Sequence, residues 1–175
     1  MTTDRNFLGM PVSGDITQGS SRVDQKPIEE LAPLFQALLD DPTITRFGWT
    51  QYTPYFNDGD TCEFGVHGLW VRTTAEPDGS VDEYGDEYED GYSLNVAYHP
   101  SLGKVIGHWE GDWPNRTYVK DGYEGPDEDR YNRCHALDGA LQSGAFDAVL
   151  LKTFEDHSMV TVRSGGIEVE SYSHD

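Results

Sequence analysis

A single α+β domain, with an antiparallel sheet of strand pairs packed with about three helices and closed by a C-terminal β-hairpin, follows from three features of this sequence. Apolar residues recur at helical spacing in a few well-separated stretches. Alternating or aromatic runs come in adjacent pairs with turn-rich links, which favours antiparallel pairing over βαβ units. The chain of 175 residues also carries 4 Trp, 10 Tyr and 7 Phe, enough rings to fill a core without a disulfide framework.

The elements follow in order. Residues 1–25 are rich in Gly, Ser and Thr and read as an N-terminal arm, either flexible or laid over the domain, with an apolar patch at 7–12. Residues 26–175 form the domain, opening with a helix. Pro27 suits a helix start, and Glu29 and Glu30 fall in the first turn, where the dipole favours acids. Ile28, Leu31, Leu34, Phe35, Leu38 and Leu39 make one apolar stripe, Pro33 threatens a kink, and Asp40-Asp41-Pro42 ends the run.

Strands are expected at 47–52 and 62–72, joined through Thr53-Pro54-Tyr55-Phe56-Asn57-Asp58-Gly59-Asp60, whose Pro54 and Asp58-Gly59 are turn chemistry. After an acidic insertion at 73–92, runs at 93–98 and 104–109 read as a second pair, and 111–125 reads as loop. Pro126-Asp127-Glu128 signals a helix with Tyr131, Cys134, Leu137, Ala140 and Leu141 on one face. A shorter helix follows through Phe146, Val149, Leu150 and Phe154, with Ser143 as its expected cap. The runs 159–163 and 167–172 flank Ser164-Gly165-Gly166 as a terminal hairpin.

Charge narrows the function classes. Twelve Lys and Arg face 32 Asp and Glu, a formal charge of −20. Phosphate-backbone binding needs clustered bases, and no two are adjacent here, so direct nucleic-acid or anionic-membrane binding is not expected. The N-terminus lacks a signal-peptide pattern and no apolar stretch reaches about 20 residues, so the expected location is the cytoplasm. A basic protein partner fits the balance.

Between Thr73 and Gly103 there is no Lys or Arg. Glu76, Asp78, Asp82, Glu83, Asp86, Glu87, Glu89 and Asp90 lie there with Tyr84, Tyr88 and Tyr92 interleaved. Three readings compete: a solvated loop, a surface that docks a basic protein by imitating nucleic-acid charge, and a cation site. The docking set is Asp82, Glu83, Tyr84, Asp86, Glu87, Tyr88, Glu89 and Asp90.

A second candidate is an aromatic pocket at the first hairpin, formed by Trp49, Tyr52, Tyr55, Phe56 and Asp58, taking a nucleotide or sugar. Its competitor is that these rings are core. The segment Asn57 to Glu63 lacks the register of a calcium loop. Cys62, Cys134 and the six His lack the short paired spacing of zinc sites, so no metal and no cofactor are assigned. Neither GxSxG, GxxxxGK[ST] nor GxGxxG occurs, which favours a non-enzymatic role, though scattered carboxylates leave a catalytic pair open.

The stretch Trp49-Thr50-Gln51-Tyr52-Thr53-Pro54-Tyr55-Phe56-Asn57-Asp58-Gly59-Asp60-Thr61-Cys62 resembles a family of small uncharacterised bacteriophage and bacterial proteins carrying WxQYTPYFNDGxxC. The resemblance covers this hairpin and implies a setting rather than an activity: a phage-encoded protein acting inside an infected cell. The expected function is therefore a non-enzymatic acidic domain that binds a basic host protein. A small-ligand binder or enzyme using the aromatic pocket, and a virion structural component, are the alternatives.

Overall fold

The computed structural model describes residues 5–12, 23–55, 59 and 62–173. Most of the expected arm, together with Phe56 and Asp58 of the expected pocket, lies outside these residues. The elements run β1 (Arg5–Phe7), β2 (Met10–Val12), α1 (Ile28–Leu39), β3 (Ile44–Tyr52), β4 (Gly65–Thr73), a 3-10 turn (Val96–Tyr98), β5 (Lys104–Glu110), β6 (Thr117–Glu124), α2 (Glu128–Gln142), α3 (Asp147–Phe154), β7 (Ser158–Arg163) and β8 (Gly166–Ser171). They build a four-stranded antiparallel sheet in the order β4-β3-β7-β8, the two-stranded ribbon β5-β6 and the small pair β1-β2. This is the expected α+β class, with three helices among the described residues and a terminal hairpin.

Strand alternation sorts the sheet into two faces. Phe47, Trp49 and Gln51 on β3 share a face with Val71 and Val66 on β4 and with Val162, Val160 and Ser158 on β7. That face meets the helices. Leu31 and Leu38 of α1, Cys134, Leu137 and Leu141 of α2, and Leu150 of α3 are buried with it in one core. Ile28, expected in the α1 stripe, stays exposed at the first turn, and α1 runs unbroken through Pro33. The expected cap of the third helix is corrected: Ser143 closes α2 and Phe146 stands at the start of α3.

The opposite face carries Arg46, Gly48, Thr50 and Tyr52 beside Trp70 and Arg72. At Gly48 a Cβ would strike the Val160 carbonyl and come within 2.6 Å of Trp70 Cζ2, so only glycine lets the indole cross the strand. Between Gly48 and Thr50 the register slips by one residue, a bulge on β4 that Gly68 absorbs at φ +46. The slip turns the Leu69 amide out of the ladder, and it donates to Asp138 Oδ1 on α2 at 2.9 Å.

Three expectations about strands are corrected. β4 starts at Gly65 rather than at residue 62, after Phe64 has entered the core. The run 93–98 is not a strand paired with 104–109: it makes one bridge from Asn95 to Trp70 and then a 3-10 turn capped by the Asn95 side chain. β5 pairs instead with β6, inside the segment read as loop. The end of the expected arm is also tied down. Lys26 N donates to the Ala145 carbonyl at 2.8 Å, and the Gln25 side chain bonds Gly144 O and Ala148 N at the α2–α3 junction.

Asp147 opens α3, where the dipole favours an acid, yet it is buried and its Oδ1 has no hydrogen-bond partner among the described residues. Burial, with Glu63 adding repulsion, pushes its carboxyl up to about 6. A raised carboxyl pKa means the folded state holds its proton where the unfolded chain has lost it. Stability therefore declines as pH rises from about 4 to about 6 and stays reduced above that. Asp147→Asn is expected to raise the melting temperature at pH about 8, by up to about 2–3 kcal/mol of stability, and to leave it unchanged near pH 3, as read by thermal denaturation at both pH values.

Candidate functional site

The acidic insertion is folded, and two arginines of the sheet fold it. Arg72 is buried on β4, and its guanidinium is almost fully spent on the insertion. Nε donates to Asp90 Oδ1 at 2.8 Å, one terminal nitrogen to the Glu76 carbonyl at 2.9 Å, and the other to the Tyr88 carbonyl at 2.7 Å. Arg46, opposite it on β3, donates to Asp90 Oδ2 at 2.7 Å and to Asp78 Oδ1 at 2.7 Å. Asp90 thus bridges two arginines, one oxygen to each. These charge-assisted bonds close a loop of more than a dozen residues onto the outer sheet face.

Beyond that anchor the backbone turns on itself. Asp82 Oδ1 accepts from the amides of Tyr84 at 2.8 Å and Asp86 at 3.0 Å, and Asp82 N bonds Asp86 O. Val81 bridges Glu87, and Tyr88 N donates to Ser80 O at 3.1 Å. Ser93 and Glu89 bond each other reciprocally. The acidic segment is a loop held by its own turns, and Glu83, Asp86, Glu87 and Glu89 on it face solvent.

The far end of the insertion is braced by a buried polar cluster. Ser101 N donates to His99 Nδ1 at 3.2 Å, which leaves the proton on Nε2 to be given to the Val71 carbonyl. Burial holds this imidazole below the usual histidine range. Thr73 Oγ1 donates to the buried Glu76 at 2.7 Å, and Arg130 of α2 reaches Thr43 Oγ1 and Ser101 O. Every one of these groups serves packing between the insertion, β4 and α2.

The eight residues of the expected docking set divide accordingly. Asp90 is consumed by the arginines, and Asp82 spends one oxygen, Oδ1, on its turn. Glu83, Asp86, Glu87 and Glu89 are exposed and have no cationic partner among the described residues. Tyr84 and Tyr88 line a cleft of about 460 Å³ together with Asp82, Glu83, Tyr92, Ser93, Tyr98 and Pro100. Tyr92 was legible as part of the tyrosine spacing, whereas Tyr98 joins only because the 3-10 turn brings it back, its hydroxyl donating to the Tyr92 carbonyl at 2.9 Å.

The aromatic pocket does not assemble as expected. Trp49 and Tyr52 are an odd number of residues apart on one strand and so point to opposite faces. Trp49 is completely buried against Phe35 and Phe154, and its Nε1 donates to the buried Gln51 Oε1 at 3.1 Å. Tyr52 stacks on His67 at 3.8 Å on the outer face, beside Tyr172. Tyr55 is exposed and stacks separately on His157 at 4.7 Å. A cleft of about 400 Å³ does exist at Tyr52, lined also by His67, Trp70, Asp90, Asn95 and Tyr172. It borders the first cleft at Tyr92, which lines both.

A surface that sequence reasoning missed is the β5-β6 ribbon. Trp109 and Tyr118 meet edge to face at 5.2 Å and both are exposed, as is Trp113 at the turn. His108 lies between Asp121 at 2.7 Å and Glu110 at 2.9 Å, and these carboxylates hold its imidazole above the usual range. The signal that could have revealed the ribbon was Thr117-Tyr118-Val119 after the turn-forming Asp112, Pro114 and Asn115. Among the described residues no three His, Cys, Asp or Glu side chains gather as metal ligands. Cys134 is buried, its thiol pushed up to about 12, and is thus inert as a nucleophile. No helix is long and apolar enough to cross a membrane among the same residues.

The anchor has a measurable signature. Removing one partner of a buried ion pair typically costs about 3–5 kcal/mol. Arg72→Met leaves Asp90 paired with Arg46, so it is expected to lose less than that scale, and to release amide-exchange protection at Asp82, Asp86 and Tyr88 while β7 keeps its own. Retained protection in the insertion would show that its turns stand without the arginine.

No family model, no curated protein and no solved structure matches this chain.

Proposed function

We propose that this chain is a non-enzymatic protein-binding domain whose acidic, tyrosine-bearing insertion engages a basic protein. The observation that carries the reading is the pairing of Arg46 and Arg72 with Asp78 and Asp90, which holds the insertion in shape while leaving Glu83, Asp86, Glu87 and Glu89 unneutralised. An acidic surface held in one conformation loses less entropy on docking than a loose acidic loop. Its opposite charge speeds encounter with a basic surface and makes binding salt-sensitive. In the phage setting that the hairpin resemblance implies, the partner is a basic host protein such as a nuclease or DNA-binding protein, met in the cytoplasm.

A second reading has its own support. The cleft at Tyr52 and His67 offers a stacked aromatic wall with the Asn95 amide and the buried Trp70 indole, whose Nε1 has no partner among the described residues. Such a wall suits a base or sugar ring. Tyr52→Leu would abolish binding of that ligand and leave protein capture intact.

The first reading is tested by the combined variant Glu83→Gln, Asp86→Asn, Glu87→Gln and Glu89→Gln. Basic host proteins are captured on the wild-type chain over a salt series from about 0.05 to about 0.5 M. Partners are expected to be released as salt rises, and the variant, with unchanged melting, is expected to capture at least about tenfold less. Capture indifferent to both salt and these substitutions would retire the acidic-surface reading.

A further inference from the structure

We propose that the cleft between Tyr84, Tyr88, Tyr92 and Tyr98 is a cation–π receptor for an arginine side chain of the partner. The proposal rests on the protein-binding reading above and names what the partner must present.

Three observations converge on that chemistry. First, the lining is aromatic and anionic at once: four tyrosines, with Asp82 and Glu83 at the same cleft, and Ser93 and Pro100 completing it. Tyrosine faces carry negative quadrupole density and attract a cation within about 6 Å of the ring. Second, the rings are presented outward, with Tyr84, Tyr92 and Tyr98 exposed by 83%, 78% and 64%. Clustered exposed aromatics on an otherwise polar loop are the composition of a contact surface. Third, among the described residues no cation lines this cleft. No Lys or Arg occurs between Thr73 and Gly103, and Arg46 and Arg72 are bound to Asp78 and Asp90. Glu83 has no hydrogen-bond or ion-pair partner among the described residues, and Asp82 uses only Oδ1 in its turn.

The backbone that carries the walls is held, and one of the four rings with it. Tyr98 is held through its hydroxyl to the Tyr92 carbonyl, Asn95 caps the turn that carries Tyr98, and Ser93 and Glu89 lock the chain before it. A ligand that enters has side chains to order but little backbone. Among cations, a guanidinium fits best. It is planar, weakly hydrated and stacks on aromatic faces while its fork donates two parallel bonds to a carboxylate. A lysine ammonium is compact and strongly hydrated, and it gives up more hydration for the same contacts.

The test uses the whole chain and three short peptides of one length, bearing several arginines, the same number of lysines, or the neutral isostere citrulline. The wild type is expected to bind the arginine peptide about fivefold more tightly than the lysine peptide and the citrulline peptide far more weakly. The double variant Tyr84→Leu, Tyr92→Leu alters exposed side chains. With unchanged melting, it is expected to bind arginine and lysine peptides equally. Glu83→Gln weakens the arginine peptide most. Equal affinity for arginine and lysine in the wild type overturns the receptor and leaves the charge-based docking surface standing. An arginine preference that survives the double variant overturns it too, since the preference then lies elsewhere. If neither charged peptide binds better than citrulline at low salt, the docking surface falls with it.

Discussion

The bridge from Asp90 to Arg46 and Arg72 is the constraint on which the outer half of this molecule depends. One carboxylate, one oxygen per guanidinium, joins β3, β4 and the insertion. Two like-charged arginines sit opposite each other in the ladder, an arrangement that destabilises a sheet unless an anion stands between them. Arg72 is buried, and a buried cation is tolerated only when it is paired and its remaining protons are satisfied. The insertion meets both needs, with Asp90 for the charge and the carbonyls of Glu76 and Tyr88 for the remaining N–H groups. The sheet and its acidic cover thus stabilise each other.

The same bridge explains how a strongly negative chain keeps a dense acidic segment ordered. Asp78 and Asp90 are turned onto arginine, and Asp82 is turned onto the backbone amides of Tyr84 and Asp86. Self-repulsion is confined to the carboxylates that remain, which face solvent where water screens them. The tyrosine cleft is a by-product of this folding: once residues 80 to 93 close on the sheet, Tyr84, Tyr88 and Tyr92 meet Tyr98 from the following turn.

How much of the site was legible depended on the range of the forces involved. The tyrosine spacing and the absence of Lys and Arg are local facts, and they single out the segment 73–92. Trp49 shows the limit. A ring beside Tyr52 and Tyr55 looks like a pocket wall, but strand alternation sends it into the core and Tyr52 out onto the sheet. The β5-β6 ribbon escaped because its second strand, 117–124, holds few apolar residues. Its side chains are mostly exposed, so no buried face imposed the alternation that marks a strand.

The amino-acid order by itself determined the class of fold, the helix stripes at Leu31, Leu38, Leu137 and Leu141, the terminal hairpin and the sign of the surface. Burial periodicity, turn chemistry and net charge are carried by neighbours in the chain. Tertiary structure alone decided which carboxylates are spent and which are free, because the arginines that take Asp90 lie on two strands, 44 and 18 residues away. An ion pair needs proximity, not sequence spacing, and only the closed sheet brings those charges within reach of one another.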